Sequence, residues 1–242
     1  MPAYSQHSFS EKVALVTDGT NPVGRAVAMQ LALLGCYVIV GFSELTEDEK
    51  NALEELRSLG TLANTVEIDI TEATGAKKLI EEVEKLYGRL DLLINCLKFA
   101  DDSPFESTNE KHFDRILEAN FKSVFFVTQE ALRLMKPRPN PKIVSVLSMC
   151  DSEETKNNIA FAAANQAVVG ATRSLAVALP SKFRINAVAV SEKEKNQPDN
   201  DPLDPELFRA KKEIDEDDVA RTIIYLLSKE SIGINGQIVR VG

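Results

Sequence analysis

Residues 13–40, VALVTDGTNPVGRAVAMQLALLGCYVIV, decide the fold because they alternate between two kinds of apolar pattern. The short apolar run 13–17 is typical of a buried strand and ends at a turn signal. Residues 23–34 predict a helix, for which Gly35 is a natural C-cap. A second buried strand is predicted at 37–40. The order strand, helix, strand favours parallel pairing with a right-handed crossover.

The same alternation continues along the rest of the chain. Further strands are predicted at 65–70, 90–95, 143–147, 184–190 and 238–241. Helices are predicted at 46–59, 74–87, 160–179 and 217–227, with another long helix between the fourth and fifth strands. The predicted fold class is therefore α/β, a single Rossmann-like doubly wound parallel sheet of about seven strands with helices on both faces. Ligands of such sheets bind outside the carboxyl ends of the strands.

Length, charge and cysteine content narrow the class of protein. The chain is expected to form one domain over 1–242, with residues 1–11 as a flexible N-terminal tail. Its net charge of -9 gives nucleic acid or an anionic membrane no electrostatic help as a partner. No apolar run approaches the ~20 residues of a membrane span, and the N-terminus lacks the apolar stretch of a signal peptide. Cys36, Cys96 and Cys150 have no metal-ligand spacing, which favours reduced thiols and a cytoplasmic protein.

Seven stretches of the chain stand in the order and at the spacing of one enzyme family. They are 17–24 (TDGTNPVG), Asp69, 91–98 (DLLINCLK), Asn120, Ser148, 170–176 (GATRSLA) and 234–242 (INGQIVRVG). On these motifs, residues 13–242 resemble the classical short-chain dehydrogenase/reductases, especially the acyl-carrier-protein ketoreductase type. The resemblance implies the fold predicted above and a nicotinamide dinucleotide as the family's cofactor.

The resemblance also assigns four positions of this chain to the family's catalytic groups. The family's Tyr-x-x-x-Lys pair spans one helical turn, and counting back from Gly170 places its lysine at Asn165 and its tyrosine at Phe161. Counting forward from Ser148 reaches Phe161 as well. Asn120 and Ser148 stand where the family has its catalytic asparagine and serine. Alternatively, Asn120 simply bonds helix backbone and Ser148 a group at the strand end.

The two substitutions remove the chemistry that the resemblance implies. The family's tyrosine hydroxyl donates a proton to the substrate oxygen as hydride arrives, and its lysine lowers the pKa of that tyrosine. Phe161 has no hydroxyl and Asn165 carries no charge. Loss of a general acid typically lowers the rate by about 10²- to 10⁴-fold. We therefore expect no intact catalytic set.

The loop that would bind the cofactor phosphates departs from the family pattern as well. Such a loop works because absent side chains let backbone N–H groups approach the pyrophosphate. Asp18 replaces the first glycine, and Pro22 replaces the second and removes an N–H donor. Gly24 remains, and Gly19 supplies some conformational freedom for the turn.

Two more positions match cofactor contacts of the family. Asp69 stands at the adenine-contact position after the third strand, and Asn95 lies in the stretch DLLINCLK. Residues 41–43 (GFS) supply neither the acid nor the base that usually meets the cofactor's ribose. The expected cofactor is therefore none, or NAD(P) if any binds.

Other candidate groups have simpler explanations. Tyr225 and Lys229 share the Tyr-x-x-x-Lys spacing, but they fall in the last helix, where packing is the expected role. His112 and His7 have no plausible catalytic partner and are expected at the surface. The acidic group in 151–154 is expected to be solvated, so no metal site is predicted.

Three functions remain open at this stage. The leading hypothesis is a degenerate short-chain dehydrogenase/reductase-like protein without ketoreductase turnover, acting as a structural or regulatory subunit. It would form a homo-oligomer or pair with an active relative. The second is an NAD(P)-dependent oxidoreductase of altered or weak activity that uses another residue such as Ser148 or Asp151. The third is a protein that binds a different small ligand in the cleft.

Overall fold

A computed structural model describes residues 9–43, 47–58, 63–96, 104–148, 158–190 and 215–241 of the 242-residue chain. The strands in this part are β1 Val13–Thr17, β2 Tyr37–Phe42, β3 Ala63–Glu67, β4 Leu92–Asn95, β5 Lys142–Ser148, β6 Arg184–Val190 and β7 Ile238–Val241. The α-helices are α1 Pro22–Leu33, α2 Glu47–Ser58, α3 Ala73–Tyr87, α4 Glu110–Leu117, α5 Ser123–Met135, α6 Ile159–Ala178 and α7 Glu216–Leu227. No helix within these ranges is long and apolar enough to cross a membrane.

The strands form one parallel sheet in the order β3-β2-β1-β4-β5-β6-β7. This arrangement confirms the predicted doubly wound fold class. The chain leaves β1 toward one edge of the sheet and returns at β4 to build the other half. Thr17 and Asn95, the last residues of β1 and β4, are register partners. The carboxyl ends of β1 and β4 therefore border the crevice at which the strand order reverses.

Helices cover both faces of the sheet because consecutive strand residues point to opposite sides. Ala14 and Val16 of β1 face the layer that contains α1, α2 and α7. Val13 and Leu15 face the layer that contains α3 and α5. All four side chains are fully buried, so β1 lies at the centre of two apolar cores.

Two elements differ from the sequence-based expectation. The third strand spans Ala63–Glu67 instead of 65–70, because β2 already pairs with it from the register Val38↔Ala63 onward. The predicted long helix between β4 and β5 is divided into α4 and α5 by a π-helical segment, Glu118–Lys122. Such widened turns occur often at functional sites.

Within the described residues, chain packing against the core begins at Phe9, before the end of the N-terminal tail expected at residue 11. Phe9 is fully buried and belongs to the core beneath α1 and α7. Lys12 N–H donates to the Phe9 carbonyl at 3.1 Å, and its Nζ lies 5.3 Å from the ring centroid of Phe9. The packed part of the chain therefore includes residues 9–12, which sequence alone assigned largely to a tail.

A buried carboxylate joins three elements at the amino-end edge of the sheet. Asp91 Oδ2 accepts a hydrogen bond from Val13 N–H at 3.0 Å, and its Oδ1 lies 2.6 Å from Nε of Arg138. Arg89 Nε lies 3.8 Å from the same carboxylate. A buried carboxylate is tolerated when it is paired and hydrogen-bonded in this way.

Lys142, the first residue of β5, is buried at the same edge. Its ammonium donates to the Ser228 carbonyl and lies 3.4 Å from Ser231 Oγ. The pKa of Lys142 is lowered to about 8, mainly by burial and in addition by the positive charges of Lys12 and Arg184. The folded protein thus disfavours the charged form of this side chain.

Replacement of Lys142 by Met should change how stability depends on pH. The unfolded chain holds the Lys142 proton up to its ordinary pKa of 10.5, whereas the folded chain releases it near 8. Between these values the unfolded state binds more protons, so this group makes the free energy of unfolding rise with pH. Urea denaturation from pH 7 to pH 10.5 should show a smaller rise in the Lys142→Met variant than in the wild type. The exposed-lysine variant Lys78→Met is the control, and equal pH profiles for all three proteins would contradict the assignment.

Candidate active site and dinucleotide cleft

The carboxyl ends of β1, β4 and β5 bring the sequence-predicted positions to one edge of the sheet. Thr17 ends β1, Asn95 ends β4 and Ser148 ends β5. Cys96 N–H donates to Thr17 Oγ1 at 3.1 Å, which ties the first two strand ends together. This edge is where the fold places its ligands.

The structure brings Ser148, Phe161 and Asn165 into direct contact. Asn165 Oδ1 accepts a hydrogen bond from Ser148 N–H at 3.0 Å. Asn165 Nδ2 donates to the Phe161 carbonyl, one turn earlier in α6, at 2.9 Å. Both Asn165 and Ser148 are buried. The side chain at the family's lysine position therefore bonds the protein's own backbone.

The ring of Phe161 lies in an apolar setting. It is 5% exposed and clusters with Ile116 of α4 and Ala164 of α6. Leu117 and Phe121 pack against the same cluster. A phenyl ring offers no titratable proton, so this position cannot act as a general acid or base.

Asn120 lies in the π-helical segment and is also buried. Its Nδ2 donates to the Ile116 carbonyl at 2.9 Å, which satisfies a carbonyl of the helix that precedes it. The alternative interpretation from sequence, in which Asn120 bonds helix backbone, therefore agrees with this hydrogen bond. The π-helical turn itself was missed, because the sequence EANFK carries no proline or glycine to mark it.

The loop after β1 folds as a tight turn that packs closely on its own backbone. Asp18 has φ +47°, a left-handed conformation that aspartate tolerates better than most residues. A Cβ on Gly24 would come within 2.6 Å of the Asp18 carbonyl, so only glycine fits there. A Cβ on Gly19 would lie 2.7 Å from Val40 Cγ1 of β2. The two predicted loop glycines thus serve the packing of the turn itself.

Asn21 caps α1 and connects three parts of the site. Its Oδ1 accepts from Gly24 N–H at 2.8 Å. Its Nδ2 donates to Asp18 Oδ2 at 3.0 Å and to the Cys96 carbonyl at 3.0 Å. Sequence reasoning missed this residue, although an asparagine directly before a proline is a recognised signature of a helix start. Pro22 indeed opens α1, one residue before the predicted beginning.

The first turn of α1 does not fit a dinucleotide pyrophosphate. A helix N-terminus binds phosphate through backbone N–H groups that have no partner within the helix. Here Asn21 N–H donates to the Asp18 carbonyl at 3.2 Å, Pro22 has no N–H, and Gly24 N–H is capped by Asn21. Among residues 21–24 this leaves Val23 N–H as the donor available to a phosphate. The Asp18 carboxylate, which is bonded to the N-cap residue Asn21, adds a negative charge at the start of this helix.

The Asp18 carboxylate also affects the pKa of the Cys96 thiol. Burial is the main cause that raises the pKa of the Cys96 thiol, and the negative charge of Asp18 raises it further. The thiol therefore stays protonated and unreactive.

The other predicted cofactor positions have local roles. Asp69 Oδ1 accepts from Thr71 N–H at 2.9 Å and from Thr71 Oγ1 at 2.8 Å, so its carboxylate closes the turn before α3. Asn95 Nδ2 lies 3.3 Å from both Thr128 Oγ1 and Ser145 Oγ, between the sheet and α5. The amide nitrogen of Asn95 is therefore bonded inside the protein, whereas its Oδ1 is buried and has no hydrogen-bond partner among the residues that the structure describes.

Two of the weaker candidates, Tyr225 and His112, lie in α7 and α4. Tyr225 is 38% exposed on α7, in the layer opposite α6. His112 follows the N-cap of α4, where its N–H donates to Asn109 Oδ1 at 3.0 Å. No group of metal-ligating side chains occurs in the ranges that the structure describes. The acidic group in 151–154 and Cys150 lie outside those ranges.

The sheet order and the position of this crevice define a doubly wound α/β protein with a Rossmann-like sheet. The sequence profile described as short chain dehydrogenase matches residues 12–193, which is more than half of the chain. The chain therefore belongs to the short-chain dehydrogenase family.

Individual relatives agree with this assignment. The chain is 27% identical over 236 residues to a 3-oxoacyl-[acyl-carrier-protein] reductase, FabG, of Staphylococcus aureus, with 95% of this chain and 96% of the relative covered. It is 26% identical over 222 residues to the short-chain dehydrogenase/reductase FrzI of a Cladobotryum species, covering 92% and 81% of the two chains. Among solved structures, a citronellol catabolism dehydrogenase (AtuB) of Pseudomonas aeruginosa superposes with a TM-score of 0.80 at 25% identity, covering 97% and 94%.

Replacement of Asn165 by Ala should destabilise the fold. The variant leaves the buried Ser148 N–H without its acceptor and removes the bond to the Phe161 carbonyl. We expect the free energy of unfolding to fall by about 1–3 kcal/mol in urea denaturation. The exposed neighbour Gln166 supplies the control, since Gln166→Ala should change it by less than about 0.5 kcal/mol. Equal stability of the two variants would show that the Asn165 amide has no structural role.

Proposed function

We propose that this protein is a member of the short-chain dehydrogenase family without ketoreductase turnover that serves as a structural, regulatory or ligand-binding subunit. The observation that carries the proposal is the pair Phe161 and Asn165. The ring of Phe161 is buried among apolar side chains, and the Asn165 amide is bonded to Ser148 N–H and the Phe161 carbonyl. Neither residue can supply or activate a proton donor.

The rest of the crevice supports the same proposal. A reductase needs a proton donor beside the substrate oxygen and a nicotinamide positioned to deliver hydride. The loop after β1 forms hydrogen bonds within itself, and the Asp18 carboxylate is bonded to Asn21 at the start of α1. The buried, unpaired cysteines Cys36 and Cys96 are consistent with a reducing, cytoplasmic setting.

The alternative is an NAD(P)-dependent oxidoreductase of weak or altered activity. Two observations favour it. The chain has an asparagine, Asn120, in the π-helical segment and a serine, Ser148, at the end of β5, and the similar FabG protein is named as a reductase. In that case one of the retained polar groups would have to take over proton transfer.

An assay with NADPH and an acetoacetyl thioester separates the two functions. The wild type should turn over at least about 10²-fold more slowly than the FabG relative measured in parallel, because it lacks a general acid. A Ser148→Ala preparation shows how much of any trace rate comes from contaminating host reductases. A wild-type rate close to that of FabG, lost in Ser148→Ala, would overturn the proposal.

The surface formed by α5 and α6 supports an assembly role. A shallow groove between these helices is lined mainly by Phe121, Val124, Phe125, Val168 and Leu175. Phe125 is 43% exposed at its wall. Gly170 on α6 has open space where a side chain would stand, so the isolated chain gives no packing reason for glycine there. A flat, partly apolar helix face of this kind suits contact with a second copy or an active relative.

Replacement of Phe125 by Glu should weaken such an assembly. A charge in the groove would have to be desolvated when a partner helix packs on it. Size-exclusion chromatography with light scattering should show an oligomer for the wild type and a smaller species for Phe125→Glu. The control Leu33→Glu changes a 71%-exposed leucine on α1, in the opposite layer, and should leave the assembly intact. A monomeric wild type, or an unchanged oligomer in Phe125→Glu, would contradict this interface.

A further inference from the structure

The first turn of α1 contains a network that no family role requires. Asn21 uses both protons of its amide and its carbonyl oxygen in bonds to Asp18, Cys96 and Gly24. These bonds cross from the loop after β1 to the end of β4. They therefore span the crevice at the point where the strand order reverses.

We propose that Asp18 and Asn21 form an internal closure that replaces the dinucleotide pyrophosphate, so that this chain completes its own phosphate site. Gly24 N–H, which could donate to a phosphate oxygen, donates to the Asn21 amide oxygen instead. The Asp18 carboxylate supplies the negative charge at the helix N-terminus. This inference deepens the proposed function and rests on it for the role of the closed crevice.

The charge balance favours closure by the chain itself. A helix N-terminus carries partial positive charge and is stabilised by an acidic group close to it. Within the part of the chain that the structure describes, Asn21 hydrogen-bonds one charged side chain, that of Asp18, and the first turn of α1 has no acidic residue. Asp18 accordingly satisfies the helix dipole, and a phosphate would have to displace it or lie beside it against like charge.

The backbone of the loop is consistent with this role. Asp18 keeps the left-handed conformation, φ +47°, that a glycine would adopt without strain. An acidic side chain retained in that conformation implies a contact that offsets the strain, and the bond to Asn21 Nδ2 is such a contact. Pro22 completes the closure, because it replaces an N–H donor with a ring at the first position of the helix.

The test is a calorimetric titration of NADPH and ADP into the full chain and three variants. Asp18→Asn keeps the size of the side chain and removes its charge. The triple variant Asp18→Gly/Asn21→Ala/Pro22→Gly removes the carboxylate, the cap and the ring together. We expect no saturation of the wild type at millimolar ligand and at least tenfold tighter binding by the triple variant. Asp18→Asn should lie between them.

The third variant, Asn21→Ala, tests the closure through stability instead of binding. Its control is Asn109→Ala, since Asn109 caps α4 by the same geometry, accepting from His112 N–H at 3.0 Å. Asn109→Ala removes one hydrogen bond at a helix cap. Asn21→Ala removes its cap bond and also the bonds to Asp18 and to the Cys96 carbonyl at the end of β4. The melting temperature should therefore fall further in Asn21→Ala than in Asn109→Ala.

The outcomes distinguish this inference from the proposed function. Micromolar binding of ADP or NADPH by the wild type, or equal melting temperatures of the two asparagine variants, would overturn the closure. A folded triple variant that binds no more tightly than the wild type would overturn it as well. If the wild type binds NADPH without reducing substrate, the closure fails while the absence of turnover stands. If it reduces substrate at the FabG rate, the proposed function fails.

Discussion

The structure of the crevice depends on how two asparagine side chains satisfy backbone N–H groups at the carboxyl ends of the strands. Asn21 accepts from Gly24 N–H at the start of α1, and Asn165 accepts from Ser148 N–H at the end of β5. A buried backbone donor without a partner costs about 1–3 kcal/mol, so each group must be met by ligand, water or protein. In this chain the protein meets both, at the two ends of the crevice where the family binds its cofactor.

The Asn165 amide anchors α6 to β5, and the Asn21 cap anchors the loop after β1 to β4. In the function that we propose, the first amide stands in place of a catalytic lysine and the second blocks a phosphate, so stability and the loss of chemistry are linked. Binding sites often contain polar groups without hydrogen-bond partners in the protein, and these groups lower its stability. Substitutions that stabilise such a site therefore tend to lower its activity. A chain with both groups satisfied internally gains a rigid scaffold, which suits a subunit whose useful surface is the α5–α6 face.

Much of the fold followed from apolar periodicity, and the site followed in part from spacing. The bounds of Arg184–Val190 and Ile238–Val241 were predicted to the residue, since both strands end at clear polar or glycine boundaries. The contact of Ser148 with the Phe161–Asn165 turn was anticipated from the resemblance, but not its hydrogen bonds. The Asn21 cap had a local signal in the Asn-Pro pair, but its bond to Cys96 had none, because Cys96 is 75 residues away in sequence. The burial of Phe9 was missed for the same physical reason: tertiary packing overrides a short polar setting.

The most direct measurement of the central claim is a ¹H–¹⁵N correlation spectrum of the labelled protein titrated with NADPH. If Gly24 and Ser148 are already bonded to Asn21 and Asn165, their amide resonances should stay in place at millimolar NADPH. Saturable shifts of both resonances would show that a dinucleotide takes over these donors, and would contradict a crevice that the chain satisfies by itself.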